Sequence, residues 1–128
     1  MRHLLDSHTL LWYALADPKL SAVAKTTIHD PANEILVSPA SYWEIAIKVS
    51  IGKLTLHQPY EDFVDACQHR YRFGLLSIEP KHTAALIGLP YHHKDPIDRL
   101  LAAQSLVERI PMISGDAVLD AYGIARIW

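Results

Sequence analysis

The chain has 128 residues, of which half are apolar and a fifth are charged. A chain of this size buries roughly two-thirds of the surface that it exposes when unfolded, so we expect one domain over residues 1–128. The formal net charge of -2 argues against a broad basic surface that coats nucleic acid, although it leaves room for a nucleic acid that is gripped locally.

Short apolar segments alternate along the chain with longer segments of helical period. In chain order we predict a strand at 3–5, helices at 7–16 and 21–29, a strand at 35–37, helices at 38–51 and 60–71, a strand at 75–78, helices at 80–88 and 95–108, a strand at 112–114, a helix at 116–122 and a strand at 124–128. This alternation favours right-handed crossovers and parallel strands. The predicted fold class is α/β, a three-layer α/β/α sandwich with a mainly parallel central sheet.

The predicted environment is the cytoplasm. No apolar run is long enough to span a bilayer, and Asp6 interrupts the position at which a signal peptide needs its apolar stretch. The single cysteine, Cys67, excludes an internal disulfide and any cysteine-rich zinc site. Cys67 also falls on the apolar face of its helix, which favours buried packing over a nucleophilic role.

Several acidic residues fall near one edge of the predicted sheet. Asp6 and Asp116 follow strands, Glu44 lies in the helix after the second strand, and Asp98 follows Asp95 at the start of a helix. Open α/β sheets bind ligands at the carboxyl ends of their strands. Carboxylates that converge there would repel one another, and Mg²⁺ or Mn²⁺ would relieve that repulsion. Such a site is able to hydrolyse phosphodiesters.

Each acid also has a purely structural interpretation. Asp6, Asp95 and Asp116 are suited to cap the helices that follow them. Glu44 and Lys48 have the spacing and the orientation of an ordinary ion pair on a helix surface. Spacing alone does not decide between a metal site and a series of helix caps.

Four segments carry more specific information. They are Leu-Leu-Asp-Ser-His-Thr-Leu-Leu-Trp at 4–12, Ser-Pro-Ala-Ser-Tyr-Trp-Glu-Ile-Ala-Ile-Lys at 38–48, His-Lys-Asp-Pro-Ile-Asp-Arg-Leu-Leu-Ala-Ala-Gln at 93–104 and Ile-Ser-Gly-Asp at 113–116. Together they resemble PIN-domain proteins, and more narrowly the VapC-type toxins of bacterial toxin–antitoxin pairs. The resemblance covers essentially the whole chain in the right order, and its second and third segments are the most specific.

The resemblance implies an endoribonuclease that depends on Mg²⁺, with Mn²⁺ as the alternative ion. It also implies an RNA substrate, a cognate antitoxin and a homodimer. The acids that match the metal-binding and catalytic positions of the family are Asp6, Glu44, Asp98 and Asp116. Asp95 matches an extra acid of this subgroup, which binds the metal itself, bonds to a residue that binds it, or only caps the helix.

The resemblance also assigns two supporting hydroxyls, Ser7 and Ser114, beside the first and the last acid. The family usually has threonine in the last motif, and Ser114 keeps the hydroxyl. Without the four matching acids, the rest of the chain would be slightly basic. An acidic, metal-binding pocket on such a domain would bind RNA locally. The net charge of -2 therefore does not argue against an RNA substrate.

Other residues have simpler interpretations. We expect His92 and His93 to lie in a solvated loop, because adjacent histidines point apart and we expect no third ligand nearby. We expect Lys48 and Arg99 to form surface ion pairs. The aromatic residues of the first and third helices are expected in the core or at a protein interface rather than in a platform for bases; these are Trp12, Tyr13, Tyr42 and Trp43.

Two other functions are compatible with the residues. The Asp-Ser-His-Thr segment resembles the motif of phosphatases that form an aspartyl phosphate on Asp6, although His8 stands where that motif has a second aspartate. A regulatory module that binds an antitoxin or dimerises without catalysis is the second alternative. Cleavage of RNA, release of phosphate from small phosphoesters and the absence of both activities separate the three functions.

Overall fold

A computed structural model describes all 128 residues and contains one five-stranded sheet. The strands are β1 (Arg2–Leu5), β2 (Glu34–Val37), β3 (Gly74–Leu75), β4 (Met112–Ile113) and β5 (Arg126–Ile127). Their order across the sheet is β3-β2-β1-β4-β5, and every neighbouring pair is parallel. The predicted α/β class with a mainly parallel sheet is confirmed.

Six α-helices surround this sheet. They are α1 (Ser7–Ala14), α2 (Ala22–His29), α3 (Pro39–Ser50), α4 (Tyr60–Asp65), α5 (Pro80–Ile87) and α6 (Pro96–Glu108). A π-helical segment, Ala66–Arg70, continues α4, and a 3-10 helix, Ala117–Tyr122, follows β4. None of the helices has the length and the apolar composition needed to cross a membrane.

The third strand is shorter than the predicted segment 75–78. The backbone of Leu76 still donates to Val37 O at 2.9 Å, but the carbonyls of Leu76 and Ser77 accept hydrogen bonds from the Gln104 side chain at 3.2 and 3.4 Å. A buried amide of α6 therefore satisfies backbone groups that a further strand would otherwise pair. The chain leaves the sheet there and enters α5.

Successive residues of the central strands face two separate apolar cores. Leu5 of β1 and Ile113 of β4 contact one core, which also contains residues of α1, α2, α3 and α4. Leu4 and Met112 contact the other core, which is built mainly from α6 and the segments around β4. This alternation follows from the two-residue period of a strand. It produces the three layers that the sequence predicted.

The topology brings the ends of separate strands together. β1 is central and pairs with β2 on one side and β4 on the other, with Leu5 in register with Ile113. The residues that follow these two strands are therefore neighbours, and Asp6 N donates to Ile113 O at 3.3 Å. We call this side of the sheet the carboxyl edge, since all five strands end there.

Candidate metal centre

Asp6 and Asp116 are joined at the carboxyl edge by Ser114. Asp6 is only 6% exposed, and one of its oxygens accepts from Thr9 N at 2.7 Å, which caps α1. Its other oxygen accepts a hydrogen bond from the buried Ser114 hydroxyl. Ser114 Oγ in turn accepts from Asp116 N at 3.0 Å. The helix-capping interpretation of Asp6 is therefore correct, and the same carboxylate keeps lone pairs for a further ligand.

Asp98, in the first turn of α6, stands at the centre of the acidic residues. Its carboxylate lies within 4.8 Å of ligand atoms of Glu44 and Asp95 on one side, and of His93 and Asp116 on the other. The side chains of Glu44 and Asp98 are only 13% and 22% exposed. The structure thus brings four of the five predicted acids into two overlapping groups that share Asp98.

Asp6 completes the arrangement without joining either of these groups. Its negative charge is near enough to act on the ionisation of Asp98, and Ser114 links it to Asp116. Asp6 and Asp116 also line one shallow recess at the carboxyl edge. All the acids that the resemblance selected therefore lie in one region.

This region carries more negative charge than its neighbours offset. Burial, together with the negative charges of Asp95, Glu44 and Asp6, raises the pKa of Asp98 to about 7, whereas His93 acts in the opposite direction. One lysine, Lys48, pairs with Glu44 at 3.0 Å, as expected from the spacing. A set of oxygen donors with unbalanced negative charge fits a hard divalent cation such as Mg²⁺ or Mn²⁺.

The expectation of a solvated loop is wrong for His93. Its side chain is 18% exposed, and its Nε2 atom lies 2.7 Å from Asp116 Oδ2 and 3.4 Å from Asp98 Oδ2. His92 is exposed, and its ring packs against Tyr122. A signal for His93 was present in the sequence, because it precedes Asp95 by two residues. Asp95 caps the helix whose first turn contributes Asp98. If Asp98 lies at the carboxyl edge, the residues just before Asp95 must therefore lie near it as well.

The expectation of a surface ion pair is wrong for Arg99. The residue is 4% exposed, and its guanidinium donates to the carbonyls of Pro90, Leu86 and Leu89 at 2.8, 3.3 and 3.3 Å. It also lies 3.9 Å from the ring centroid of Tyr91. Arg99 therefore fastens the connection between α5 and α6 to the body of the protein. That connection carries His93, so Arg99 anchors the start of the segment that leads to the imidazole.

The two residues that the resemblance placed beside the acids differ in their contacts. Ser7 is buried and its hydroxyl donates to Ser41 Oγ at 3.0 Å, so it links α1 to α3 and does not bond to a carboxylate. Asp95 caps α6, and one of its oxygens accepts from Ile97 N and Asp98 N at 2.8 and 3.1 Å. Asp95 therefore caps α6 and also lies beside Asp98.

Apart from Trp12, the remaining candidates share no recess with the acids. Cys67 is fully buried in the first core, and burial raises the pKa of its thiol to about 11, which confirms its packing role. Tyr42 belongs to the same core, and Tyr13 packs against it. Trp43 is 62% exposed on α3. Trp12 lines the recess beside Asp6 and Asp116.

The sequence profile of the PIN domain family matches residues 3–125, which is nearly the whole chain. The chain belongs to the PIN domain family. Ribonuclease VapC16 from Mycobacterium tuberculosis (strain ATCC 25618 / H37Rv) is 38% identical to this PIN domain over 71 residues, a stretch that is 52% of this chain and 50% of the relative. The PIN domain thus spans about half the length of the curated relative that it matches.

Solved structures share the fold of this PIN domain across nearly its full length. A chain of VapBC2 from Rickettsia felis, in a crystal structure with a DNA fragment from its promoter, gives a TM-score of 0.70 at 13% identity and covers 98% of this chain and 97% of its own. A chain of VapBC-1 from nontypeable Haemophilus influenzae gives 0.66 at 18% identity, with coverage of 98% and 96%. The likeness extends to the three-layer architecture.

Proposed function

We propose that this PIN domain is a metal-dependent endoribonuclease that hydrolyses RNA phosphodiester bonds as the toxin of a type II toxin–antitoxin pair. The observation that carries the proposal is the convergence of Asp6, Glu44, Asp98 and Asp116 at the carboxyl edge with unbalanced negative charge. The relative named Ribonuclease VapC16 supports the same activity. Among the predicted functions, this one accounts for every acid of the site.

The residues have separate roles in this proposal. The four acids hold one or two divalent ions, with Mg²⁺ as the proposed ion and Mn²⁺ as the alternative, and Asp95 is an additional candidate ligand. A divalent ion, when bound, would lower the pKa of a water molecule that it holds and would stabilise the negative charge of the phosphate. Ser114 fixes Asp6 relative to Asp116 through its two hydrogen bonds. Ser7 supports the site indirectly, because it ties α1, which begins after Asp6, to α3, which carries Glu44.

The proposed protein partners are a cognate antitoxin and a second copy of the chain, and the proposed location is the cytoplasm. The support for an antitoxin comes from the structural relatives, which are described as VapBC pairs. A toxin that cleaves RNA needs such a partner to be held inactive in the cell that makes it. No membrane association is part of the proposal.

The test is cleavage of RNA by the purified protein with Mg²⁺ and after its removal by EDTA. We expect endonucleolytic products with Mg²⁺ that disappear with EDTA and in the Asp6→Asn and Asp98→Asn variants. Asp62→Asn is the matched control, since Asp62 is an exposed acid on α4 and its substitution should leave cleavage unchanged.

Two results would contradict the proposal. The first is Mg²⁺-dependent cleavage that survives both Asp6→Asn and Asp98→Asn, because it would come from other residues or from a contaminant. The second is hydrolysis of p-nitrophenyl phosphate without any cleavage of RNA, which would favour a phosphatase that uses Asp6. Failure of both reactions in the folded protein would favour a regulatory module.

A further inference from the structure

A small recess opens directly beside the acids of the carboxyl edge. Its lining consists of Asp6, His8, Trp12, Gly115 and Asp116, and its volume is about 280 Å³. Pockets that enclose drug-sized ligands begin at roughly 300 Å³, so this recess has room for one planar ring system rather than a larger molecule. Two of its five residues are acids of the candidate metal centre, so its occupant would adjoin the reacting phosphate.

Trp12 forms the aromatic wall of the recess and is not a core residue. The neighbouring Tyr13 packs against the first apolar core, whereas Trp12 packs against neither core. Its ring instead contacts His8, one helical turn away on α1, at a centroid distance of 5.8 Å, and Trp128 at 5.7 Å. A large aromatic side chain that belongs to neither core, and that lines an open recess, is available for a ligand.

The opposite wall depends on the absence of a side chain at Gly115. A Cβ atom added there would come within 3.0 and 3.1 Å of Trp128 Cε2 and Cζ2. Gly115 therefore lets Trp128 lie against the backbone between Ser114 and Asp116, and Trp128 in turn supports Trp12. The recess is thus a structure built from α1, the segment after β4 and the last residue of the chain.

Two nitrogen-bearing side chains near Trp12 are able to donate to a bound nucleotide. Lys19 Nζ lies 6.0 Å from the Trp12 ring, and His8 is exposed at the rim. Both side chains lie near the Trp12 ring, where they are able to contact the sugar–phosphate backbone of a bound strand. Unstacked bases of single-stranded RNA bind to exposed aromatic faces in this way.

We propose that the recess holds the nucleobase next to the scissile phosphate, stacked on Trp12 with His8 at its edge. The proposal rests on the ribonuclease activity proposed above and names a substrate feature for it, which is an unpaired base flanking the cleaved bond. It also assigns to Trp12 the role of base platform that the sequence analysis had set aside.

The test uses a single-stranded RNA 12-mer, chosen as the sequence that the wild-type protein cleaves best in a randomised pool. Two abasic versions of the 12-mer are then made. One lacks the base directly 5′ of the cleaved bond, and the other lacks the base directly 3′ of it. Loss of a stacked base weakens binding by about 5- to 150-fold. We expect a reduction of kcat/KM in this range at one of these positions with the wild-type protein.

The Trp12→Leu variant should lose this discrimination. It should cleave the intact 12-mer as slowly as the wild type cleaves the abasic one, with no further penalty for the missing base. Trp12→Phe should keep part of the discrimination, because phenylalanine retains an aromatic face. His57→Ala is the control, since His57 is exposed in the loop between α3 and α4, and it should leave the discrimination unchanged.

A binding measurement gives a readout that does not depend on cleavage. The same 12-mer carries 2-aminopurine at the discriminating position and is titrated with the Asp98→Asn protein. Stacking on Trp12 should quench the fluorescence. The quenching should be absent with a protein that carries both Asp98→Asn and Trp12→Leu. Circular dichroism of each variant shows that it has folded.

The outcomes separate the two proposals. Cleavage of RNA with equal abasic penalties in the wild type and Trp12→Leu would overturn the base recess and leave the ribonuclease in place. Fluorescence quenching that survives Trp12→Leu would also overturn the recess. Absence of any RNA cleavage by the wild-type protein would overturn the proposed activity and the recess with it.

Discussion

The protein contains two clusters of histidine and acidic side chains, and they differ in charge balance. At the carboxyl edge, Asp98 lies among carboxylates, with His93 and Lys48 as the nearby basic groups. The second cluster joins α5 to the end of α6, and its members are Glu79, Lys81, His82 and Glu108. Both clusters place three potential ligand atoms within 4.8 Å of one another.

In the second cluster every group has a partner within the protein. His82 is fully buried, its Nδ1 accepts from Glu79 N at 3.0 Å and its Nε2 lies 2.9 Å from Glu108 Oε2. Lys81 Nζ lies 3.0 Å from the same carboxylate. These hydrogen bonds to His82 and Lys81 hold the pKa of Glu108 below its usual value, whereas burial raises that of Asp98. Ligand spacing alone therefore does not distinguish the two clusters, whereas their charge balance does.

The largest expected difference between the clusters is in catalysis. Asp116→Asn should lower the rate of RNA cleavage by more than about 100-fold, because even indirect supports of metal ligands account for 10–100-fold. Glu108→Gln, the matched change in the second cluster, should leave the rate within about twofold. Initial rates at saturating Mg²⁺ measure both. Equal losses in the two variants would remove the functional distinction.

The clusters should also differ in the sign of their effect on stability. Glu108→Ala leaves the buried His82 without its partner, and we expect it to lower the free energy of unfolding by about 1–3 kcal/mol. Asp98→Asn removes an uncompensated charge and should stabilise the metal-free protein. Urea denaturation in EDTA measures the free energy of unfolding of both variants. A destabilised Asp98→Asn protein would show that neighbouring groups already balance the charge of Asp98 in the absence of metal.

Arg99 should affect the carboxyl edge without touching an acid. Lysine has three donors and no planar group, so Arg99→Lys cannot both span the carbonyls of the α5–α6 connection and stack on Tyr91. We expect about 10-fold weaker Mn²⁺ binding, in the range of other supports of metal ligands. Arg70→Lys is the control, since exposed Arg70 also lies over a tyrosine. Unchanged Mn²⁺ binding in Arg99→Lys would remove its positioning role.

The smallest effect is a difference in pH dependence. The pKa of Asp98 is higher in the folded protein than in the unfolded chain, so the folded state holds its proton more tightly and loses stability as pH rises from about 4 to about 7. Glu108 has a lowered pKa, so its contribution is present near neutral pH and is lost on acidification. Mg²⁺ should therefore raise the Tm more at pH 8 than at pH 5.5. An equal increase at both values would contradict this linkage.

The sequence was sufficient to predict the fold and the location of the acids because both follow from local rules. Alternating periods predict parallel strands. Asp6 directly follows the central strand β1, and Asp116 comes three residues after its neighbour β4. His93 and Arg99 were interpreted wrongly because their environments depend on how the connection after α5 folds back. Arg99 donates to three backbone carbonyls rather than to the carboxylate that we expected. Nothing in the local sequence pattern indicates that arrangement. The direction of the Ser7 hydroxyl likewise depends on Ser41, 34 residues away.

Calorimetric titration with Mn²⁺ tests the central claim most directly, which is that the unbalanced acids of the carboxyl edge form the metal site. The account predicts saturable binding to the wild-type protein and to Glu108→Gln, and loss of that binding in Asp98→Asn. Binding that is unchanged in Asp98→Asn and lost in Glu108→Gln would place the metal in the second cluster and contradict the account.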